Sequence, residues 1–174
     1  MNLKKFFFSK NINKEMTAAR VVKRIVKEID ETKILYQENG ILARPKNDAD
    51  LFSWEAFIPG PSESPYEGYI YKLNIVFPQD YPMRAPLVNF ETKMYHPNVS
   101  MESGSICLDI LKHQWSPVLT LPKILLSISS LLTDPNPDSP LNGNAARNWT
   151  KNMEEYINIV KNYGESQALK SMPK

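Results

Sequence analysis

The side chains best suited to chemistry lie in one segment of the chain, HPNVSMESGSICLDI, which runs from His96 to Ile110. Cys107 is the only cysteine of the chain, and His96 and Asn98 precede it. A cysteine, a histidine and an asparagine can form the nucleophile, base and orienting group of a hydrolase. A lone thiol is, however, more often a small buried apolar group than a nucleophile. The segment alone therefore leaves both interpretations open.

The neighbours of Cys107 are poorly suited to activating it for hydrolysis. A free thiol has a pKa of about 8.5, so a hydrolytic cysteine needs a base beside it. The chain has only two histidines, His96 and His113, and Asp109 follows the cysteine closely. A negative charge near the sulfur would disfavour the thiolate.

A thiol can instead carry an acyl group as a thioester, which then reacts with an incoming amine. This use requires a donor for the developing oxyanion, a group that orients the amine, and no base that activates water. The side-chain NH₂ of Asn98 can supply the donor, and Asp109 can interact with the amine. These residue types favour acyl transfer over hydrolysis.

Composition limits the class of protein. With 174 residues, 42% hydrophobic and 23% charged, the chain fits one domain with a single core. One cysteine excludes an internal disulfide and suits the cytoplasm or nucleus. A net charge of +2 is too small for a typical nucleic-acid binder. We also expect a monomer without a transmembrane segment. No metal or nucleotide cofactor is expected, because the sequence has neither a cysteine–histidine cluster nor a glycine-rich phosphate loop.

The N-terminal end is basic. Glu15 is the only acid before Glu28, whereas the cations there are Lys4, Lys5, Lys10, Lys14, Arg20, Lys23, Arg24 and Lys27. We expect this end to attract an acidic partner. Residues 1–16 are predicted to be a disordered basic extension, with a targeting or docking element as the alternative.

Apolar spacing predicts three helices. The first has Thr17 as its N-cap and apolar residues at Ala18, Val22, Ile25 and Ile29. The second has Thr120 as its N-cap and an apolar stripe formed by Leu121, Ile124, Leu125, Ile128, Leu131 and Leu132. The last carries Met153, Tyr156, Ile157, Val160 and Tyr163, and is predicted to end before Gly164.

Four short β-rich segments lie between the first two helices: GILARP, LFSWEAFI, YIYKLNIVF and LVNFET. Short turn-rich connections predict an antiparallel meander. The predicted fold class is therefore α+β: an N-terminal helix, a four-stranded antiparallel β-meander, a long loop that holds Cys107, then central and C-terminal helices. Long ordered loops are where function tends to lie.

Several motifs occur together in one order: WEAFIPGPSESPYEG, then HPN, GSICLDIL, QWSP and DPNPDSPL. In sequence and spacing they resemble the ubiquitin-conjugating (carrier) enzyme family, over roughly Ala18 to Tyr163. The predicted catalytic core spans residues 17–164, and residues 165–174 form a short tail. We expect no added ubiquitin-binding domain in this tail.

The resemblance implies a role for each residue of the site. Cys107 would accept ubiquitin from the activating enzyme as a thioester and pass it to a substrate lysine, or to the cysteine of some ligases. Asn98 would stabilise either the oxyanion or the loop, and Asp109 would position the attacking lysine. His96 and Pro97 would be structural. Ser139 would lie on the gate beside the thioester, where the family has aspartate or serine.

The resemblance also implies docking surfaces. Met83 and the segment Ser116, Pro117 and Val118 would bind RING or U-box ligases. Lys23, Arg24 and Lys27 would project to solvent and bind the activating enzyme, which spends the ATP of the pathway.

Alternatives remain at this point. The carrier could serve NEDD8 or another ubiquitin-like modifier, because the basic extension resembles, in charge and length, that of a NEDD8-conjugating relative. A non-catalytic ubiquitin-binding scaffold of the same fold is a further alternative. The spacing from Asn98 to Cys107 is one residue longer than in the commonest members.

Overall fold

The computed structural model describes the backbone of residues 3–174 and the side chains of residues 18–174. Its first helix, α1, spans Leu3–Asn39 and is followed by strands β1 (Leu42–Asn47), β2 (Asp50–Pro59), β3 (Ile70–Val76) and β4 (Leu87–Phe90). A 3-10 helix covers Asp109–Leu111, and three helices follow: α2 (Leu121–Thr133), α3 (Gly143–Lys151) and α4 (Met153–Gln167). The predicted α+β order is confirmed.

The first helix begins earlier than the sequence predicts. Thr17 lies inside α1 and is not its N-cap, since the helix starts at Leu3. Neither proline nor glycine interrupts the chain before Thr17, so nothing in the backbone forces an end there. Gly40, with a φ of 69°, ends the helix at its other terminus. The side chains of residues 1–17 lie outside the described part, and the disorder predicted for the basic extension stays a prediction.

The four strands form one antiparallel sheet in the order β1-β2-β3-β4, which confirms the meander. Ala43 of β1 lies opposite Ala56 of β2, which in turn lies opposite Leu73 of β3. All three side chains are buried on the inner face. Tyr71 and Ile75 of β3 are buried as well, so every second side chain of this strand enters the core and those between lie on the outer face.

Helix α2 covers the inner face of the sheet. Five residues of its predicted stripe are buried: Leu121, Ile124, Leu125, Ile128 and Leu132. Burying each such side chain stabilises the fold by about 1.5–3 kcal/mol. Thr120 occupies the predicted N-cap position, although its side chain makes no cap hydrogen bond.

The C-terminal helices differ from the prediction in two ways. Helix α3 was not predicted; Asn142 begins it by accepting a hydrogen bond from the Ala145 N–H. Helix α4 continues through Gly164, which is therefore not a C-cap. A Cβ on Gly164 would lie 2.6 Å from the ring of Tyr69, so the glycine permits close packing and does not end the helix.

Candidate active site

A short hairpin carries the cysteine. Val99 and Ile106 pair across it, and the Cys107 N–H donates to the Asn98 carbonyl at 2.8 Å. Gly104, with a φ of 68°, forms its turn and lies against β4, where a Cβ would come within 1.9 Å of the Phe90 carbonyl oxygen. The hairpin therefore sets Cys107 beside Asn98 on a backbone that is anchored to the sheet.

The sulfur of Cys107 lies at a half-buried position between two polar groups. Ser139 Oγ is 3.8 Å from Sγ, and Lys112 Nζ is 3.7 Å from it. Ser139 belongs to the turn between α2 and α3, whereas Lys112 follows the 3-10 helix. An acyl group on Sγ would therefore lie between a hydroxyl and an ammonium group.

His96 is fully buried and uses both ring nitrogens on the backbone. Its Nδ1 accepts from the Asn98 N–H at 2.9 Å, so Nε2 carries the proton and donates to the Leu131 carbonyl at 2.9 Å. Burial lowers the pKa of His96 to about 4. A neutral ring with both nitrogens engaged cannot take a proton from Cys107 at neutral pH.

The other histidine, His113, is exposed and lies 3.8 Å from Asp109 Oδ2. Asp109 itself is the first residue of the 3-10 helix, with 58% of its side chain exposed. The nearest donor to its carboxylate is Gln114 Nε2, at 3.4 Å. Asp109 is thus free to meet an incoming group from solvent.

Asn98 is buried and its side chain holds the turn between α2 and α3. Its Nδ2 donates to the carbonyls of Asn136 at 2.7 Å and Ser139 at 3.2 Å. Its Oδ1 accepts from the Asn136 N–H at 2.8 Å. Both hydrogens of the amide are therefore engaged by this turn, and Asn98 fixes the position of Ser139 relative to Cys107.

Pro97 supports the same arrangement from the backbone. Its carbonyl accepts from the N–H groups of Leu141 at 2.8 Å and Asn142 at 3.0 Å. The hairpin and the turn are thus joined at two neighbouring residues. Among the side chains of residues 18–174, no three acidic, cysteine or histidine groups are placed so that they could hold a metal ion. None of the helices described is long and apolar enough to cross a membrane.

Comparison with known proteins decides the family. The model of the ubiquitin-conjugating enzyme family matches residues 24–164. The chain belongs to this family. A solved ubiquitin conjugating enzyme domain from Toxoplasma gondii is similar to it, with 40% sequence identity and a TM-score of 0.76; the match covers 84% of this chain and 98% of that one.

In this ubiquitin-conjugating enzyme, the two loops predicted to bind ligases are held together. Trp115 Nε1 donates to the Pro82 carbonyl at 2.9 Å, and the Tyr81 and Trp115 rings lie 6.1 Å apart. Met83 and Val118 protrude beside this contact, with 67% and 74% of their surfaces exposed. Ser116 is half-buried and Pro117 is exposed.

The basic face of α1 is smaller than the sequence predicts. Lys23 and Lys27 are exposed, but the side chain of Arg24 is only 23% exposed. Arg24 donates to the carbonyls of Pro117 at 3.0 Å and Leu119 at 2.7 Å. The expectation that Arg24 projects freely to solvent was therefore wrong, since its guanidinium finds backbone acceptors in the loop packed beside it.

Sequence reasoning missed Glu28, which ties these parts of the enzyme together. Its carboxylate is buried and accepts from Arg24 Nε at 2.8 Å, the Tyr81 hydroxyl at 2.6 Å and the Leu121 N–H at 2.8 Å. Burial, with this hydrogen bond to Glu28, raises the pKa of Tyr81. The available signal was spacing, because Glu28 falls on the same helical stripe as the buried Ile25 and Thr32.

Lys112 was also missed. It follows the cysteine by five residues, and the intervening 3-10 helix turns its side chain back toward the sulfur. Spacing alone gave no indication of this contact, because the long loop was predicted without internal helical structure.

Proposed function

We propose that the protein is a ubiquitin carrier enzyme that accepts ubiquitin as a Cys107 thioester and transfers it to substrate lysines with a RING or U-box ligase. The observation that supports this most directly is the setting of Cys107. Its sulfur is accessible, it lies beside Ser139, and both nitrogens of His96 are occupied. Such a site can hold a thioester without a base to activate water for its hydrolysis.

The proposed reaction has two steps. The Cys107 thiolate attacks the carbonyl carbon of ubiquitin's thioester on the activating enzyme, so a new S–C bond forms and the activating enzyme's thiolate leaves. A lysine amine then attacks the same carbon and an isopeptide bond forms. The S–C bond breaks, Cys107 leaves as the thiolate, and the proton of the amine passes to solvent.

Residues around the thioester would act in the second step. Asp109, exposed beside the site, would orient the lysine amine. Asn98 would keep Ser139 at the thioester by holding the turn, and any oxyanion role would require it to release one of its two carbonyl acceptors. His96 and Pro97 would contribute only to the backbone framework.

Docking would place the partners on one side of the molecule. Met83, Ser116, Pro117 and Val118 would contact the ligase, while Lys23 and Lys27 would contact an acidic surface of the activating enzyme. Arg24 reaches from α1 to the ligase loop. Both partners would therefore use connected surfaces, and charging would alternate with ligase binding.

A charging assay tests the proposal. The full chain and Cys107→Ser are each incubated with activating enzyme, ATP and ubiquitin, with NEDD8 in a parallel series, and are separated on non-reducing gels. We expect a thiol-sensitive ubiquitin adduct on the wild type and a thiol-resistant ester on the variant. Charging by NEDD8 alone would change the cargo. No adduct with ubiquitin, NEDD8 or another ubiquitin-like modifier, each supplied with its competent activating enzyme, would refute the carrier function and favour the scaffold.

Truncation of residues 1–16 in the same assay tests the basic extension. Loss of charging with retained folding would assign the extension to the activating enzyme. Unchanged charging would leave it without a role in this step.

The side chain at position 139 should affect the rate at which lysine discharges the thioester. A serine hydroxyl cannot attract a lysine ammonium as a carboxylate does, so Ser139→Asp, or phosphorylation of Ser139, should speed discharge to free lysine. Equal discharge rates for Ser139→Asp and wild type, at equal charging, would contradict this role.

A further inference from the structure

An aromatic side chain on the outer face of the sheet is covered. Trp54, Ala56 and Ile58 of β2 point into the core, so the intervening Phe57 points to the opposite face. Phe57 is nevertheless only 4% exposed, and it is not part of the core cluster. Another part of the chain must therefore shield it from solvent.

The segment after α4, residues 168–174, begins beside β3; we refer to it as the strap. The Ile70 N–H donates to the Leu169 carbonyl at 2.9 Å, and the Leu169 N–H donates to the Ile70 carbonyl at 3.0 Å. Ile70 pairs with Pro59 of β2 on its other side. The strap thus starts as one added antiparallel bridge at the far edge of β3.

The strap ends over the first strand. Arg44 Nη1 donates to the Lys174 carbonyl at 2.7 Å, while Arg44 Nε pairs with Glu55 at 3.0 Å. Arg44 lies on the outer face, because its neighbour Ala43 is buried on the inner one. Since β2 lies between β1 and β3, the strap passes over the strand that carries Phe57.

The length of the strap allows this path. Arg44 is level with Asn74 of β3, four residues beyond Ile70, so the strap has to travel about 10 Å across the strands and about 13 Å along them. This diagonal is about 16 Å, and five extended residues span roughly 17 Å. Met172 and Pro173, in the middle of the crossing, are half-buried. Apolar side chains of the strap are therefore placed over the outer face.

Charged and aromatic groups fix the start of the strap. Lys170 pairs with Glu165 at 2.7 Å and lies 4.4 Å above the Tyr69 ring, whose hydroxyl donates to Glu165 at 2.8 Å. Lys170 and Glu165 lie at the surface, where ion pairs contribute little individually. The strap is thus held by several weak contacts, which permits local opening without loss of the core.

From this arrangement we propose that the outer face of the sheet around Phe57 is a binding surface for an extended peptide, and that residues 168–174 of the same chain are its occupant. The peptide is recognised through the main chain at Ile70, an apolar contact on Phe57 and a carbonyl bonded to Arg44. Adding an extended segment to an exposed strand edge is a known mode of peptide recognition. Any protein that docks on this face has to displace the strap. The proposal rests on these contacts alone and does not depend on the cargo of Cys107.

Two variants of the full chain test it by NMR. Leu169→Pro removes the N–H that bonds to Ile70, whereas the matched control Ser171→Pro removes an N–H that has no acceptor among the described residues. We expect contacts between the Phe57 ring and the Met172 methyl in the wild type and the control, and their loss in Leu169→Pro. Amide signals of the core helices should be unchanged in all three proteins.

A peptide with the sequence of residues 168–174 provides the second measurement. Titrated to roughly millimolar concentration, the effective concentration that a short tether supplies, it should give saturable shifts at Phe57 and Ile70 in Leu169→Pro and none in the wild type. Absence of contacts between Phe57 and Met172 in the wild type would refute the covering of Phe57. Retention of those contacts in Leu169→Pro, or no saturable shift with the peptide, would refute the binding surface.

Discussion

Replacing Asn98 with aspartate separates its two suggested uses. The change keeps the shape of the side chain but replaces Nδ2, which donates to the carbonyls of Asn136 and Ser139, by an acceptor. Two hydrogen bonds are lost, at about 0.5–1.5 kcal/mol each. The new oxygen also faces two carbonyl oxygens in a buried position, which adds repulsion. We expect Asn98→Asp to lower the free energy of unfolding by about 2–4 kcal/mol at pH 7.5.

The loss should depend on pH in a defined direction. Repulsion from the carbonyls and burial raise the pKa of the introduced carboxyl above its unfolded value of about 3.9. The destabilisation is greatest above the folded pKa and decreases as pH falls through it, because the protonated acid can donate one of the two lost bonds. Urea unfolding followed by tryptophan fluorescence, at pH 7.5 and at pH 5, measures this difference.

Asn142→Asp is the matched control. Asn142 is also buried and its Oδ1 caps α3, but its Nδ2 has no hydrogen-bond partner among the described residues. Aspartate keeps the cap hydrogen bond, and its negative charge interacts favourably with the N-terminus of α3. We therefore expect the free energy of unfolding to be unchanged or to rise by up to about 1 kcal/mol. Equal stability of the two variants, together with loss of lysine discharge only in Asn98→Asp, would refute the loop-holding role and favour an oxyanion donor.

Three further predictions follow from the contacts. Buried His96 has a pKa of about 4, so the unfolded chain takes up a proton first as pH falls, and the free energy of unfolding should decrease by about 3 kcal/mol between pH 7 and pH 4. Urea unfolding should show that this pH dependence is lost in His96→Gln and retained in His113→Gln. The reverse pattern would contradict the prediction. Arg24→Lys keeps the charge but loses the paired hydrogen bonds to the carbonyls of Pro117 and Leu119, so hydrogen exchange of the Leu119 amide should accelerate by about tenfold. Unchanged exchange would mean that the loop is ordered without Arg24. Lys112→Ala should slow the reaction of Cys107 with an anionic disulfide reagent by about fivefold at low salt, with less effect on a neutral maleimide; equal slowing of both reagents would indicate a changed thiol and not a lost attraction.

The sequence predicted elements whose residues contact their neighbours in a regular pattern. The β-rich segment YIYKLNIVF was predicted as a strand, and its Tyr71, Leu73 and Ile75 are buried because every second side chain enters one core. The stripe of α2 was predicted for the same reason. Motif order likewise led to the family, since each motif was complete in itself.

Features that depend on partners distant in sequence were not predicted. Glu28 was treated as the end of a basic segment, although it is buried with partners more than fifty residues away, at Tyr81 and Leu121. Gly164 indicated a helix end, but a glycine is required there because the ring of Tyr69, just before β3, leaves no room for a Cβ. Neither the direction of Arg24 nor that of Lys112 follows from local spacing, because the loops that meet them are placed by tertiary packing.

The hairpin that carries Cys107 suggests where the enzyme can be lengthened. Its base is fixed by the bond from Cys107 to Asn98, and its turn is fixed at Gly104 against β4. Between these points, Glu102 and Ser103 are exposed. A short epitope or a fluorophore attachment sequence inserted between Glu102 and Ser103 would lie on the hairpin that carries Cys107, while the segment after α4 keeps its bonds to Ile70 and Arg44.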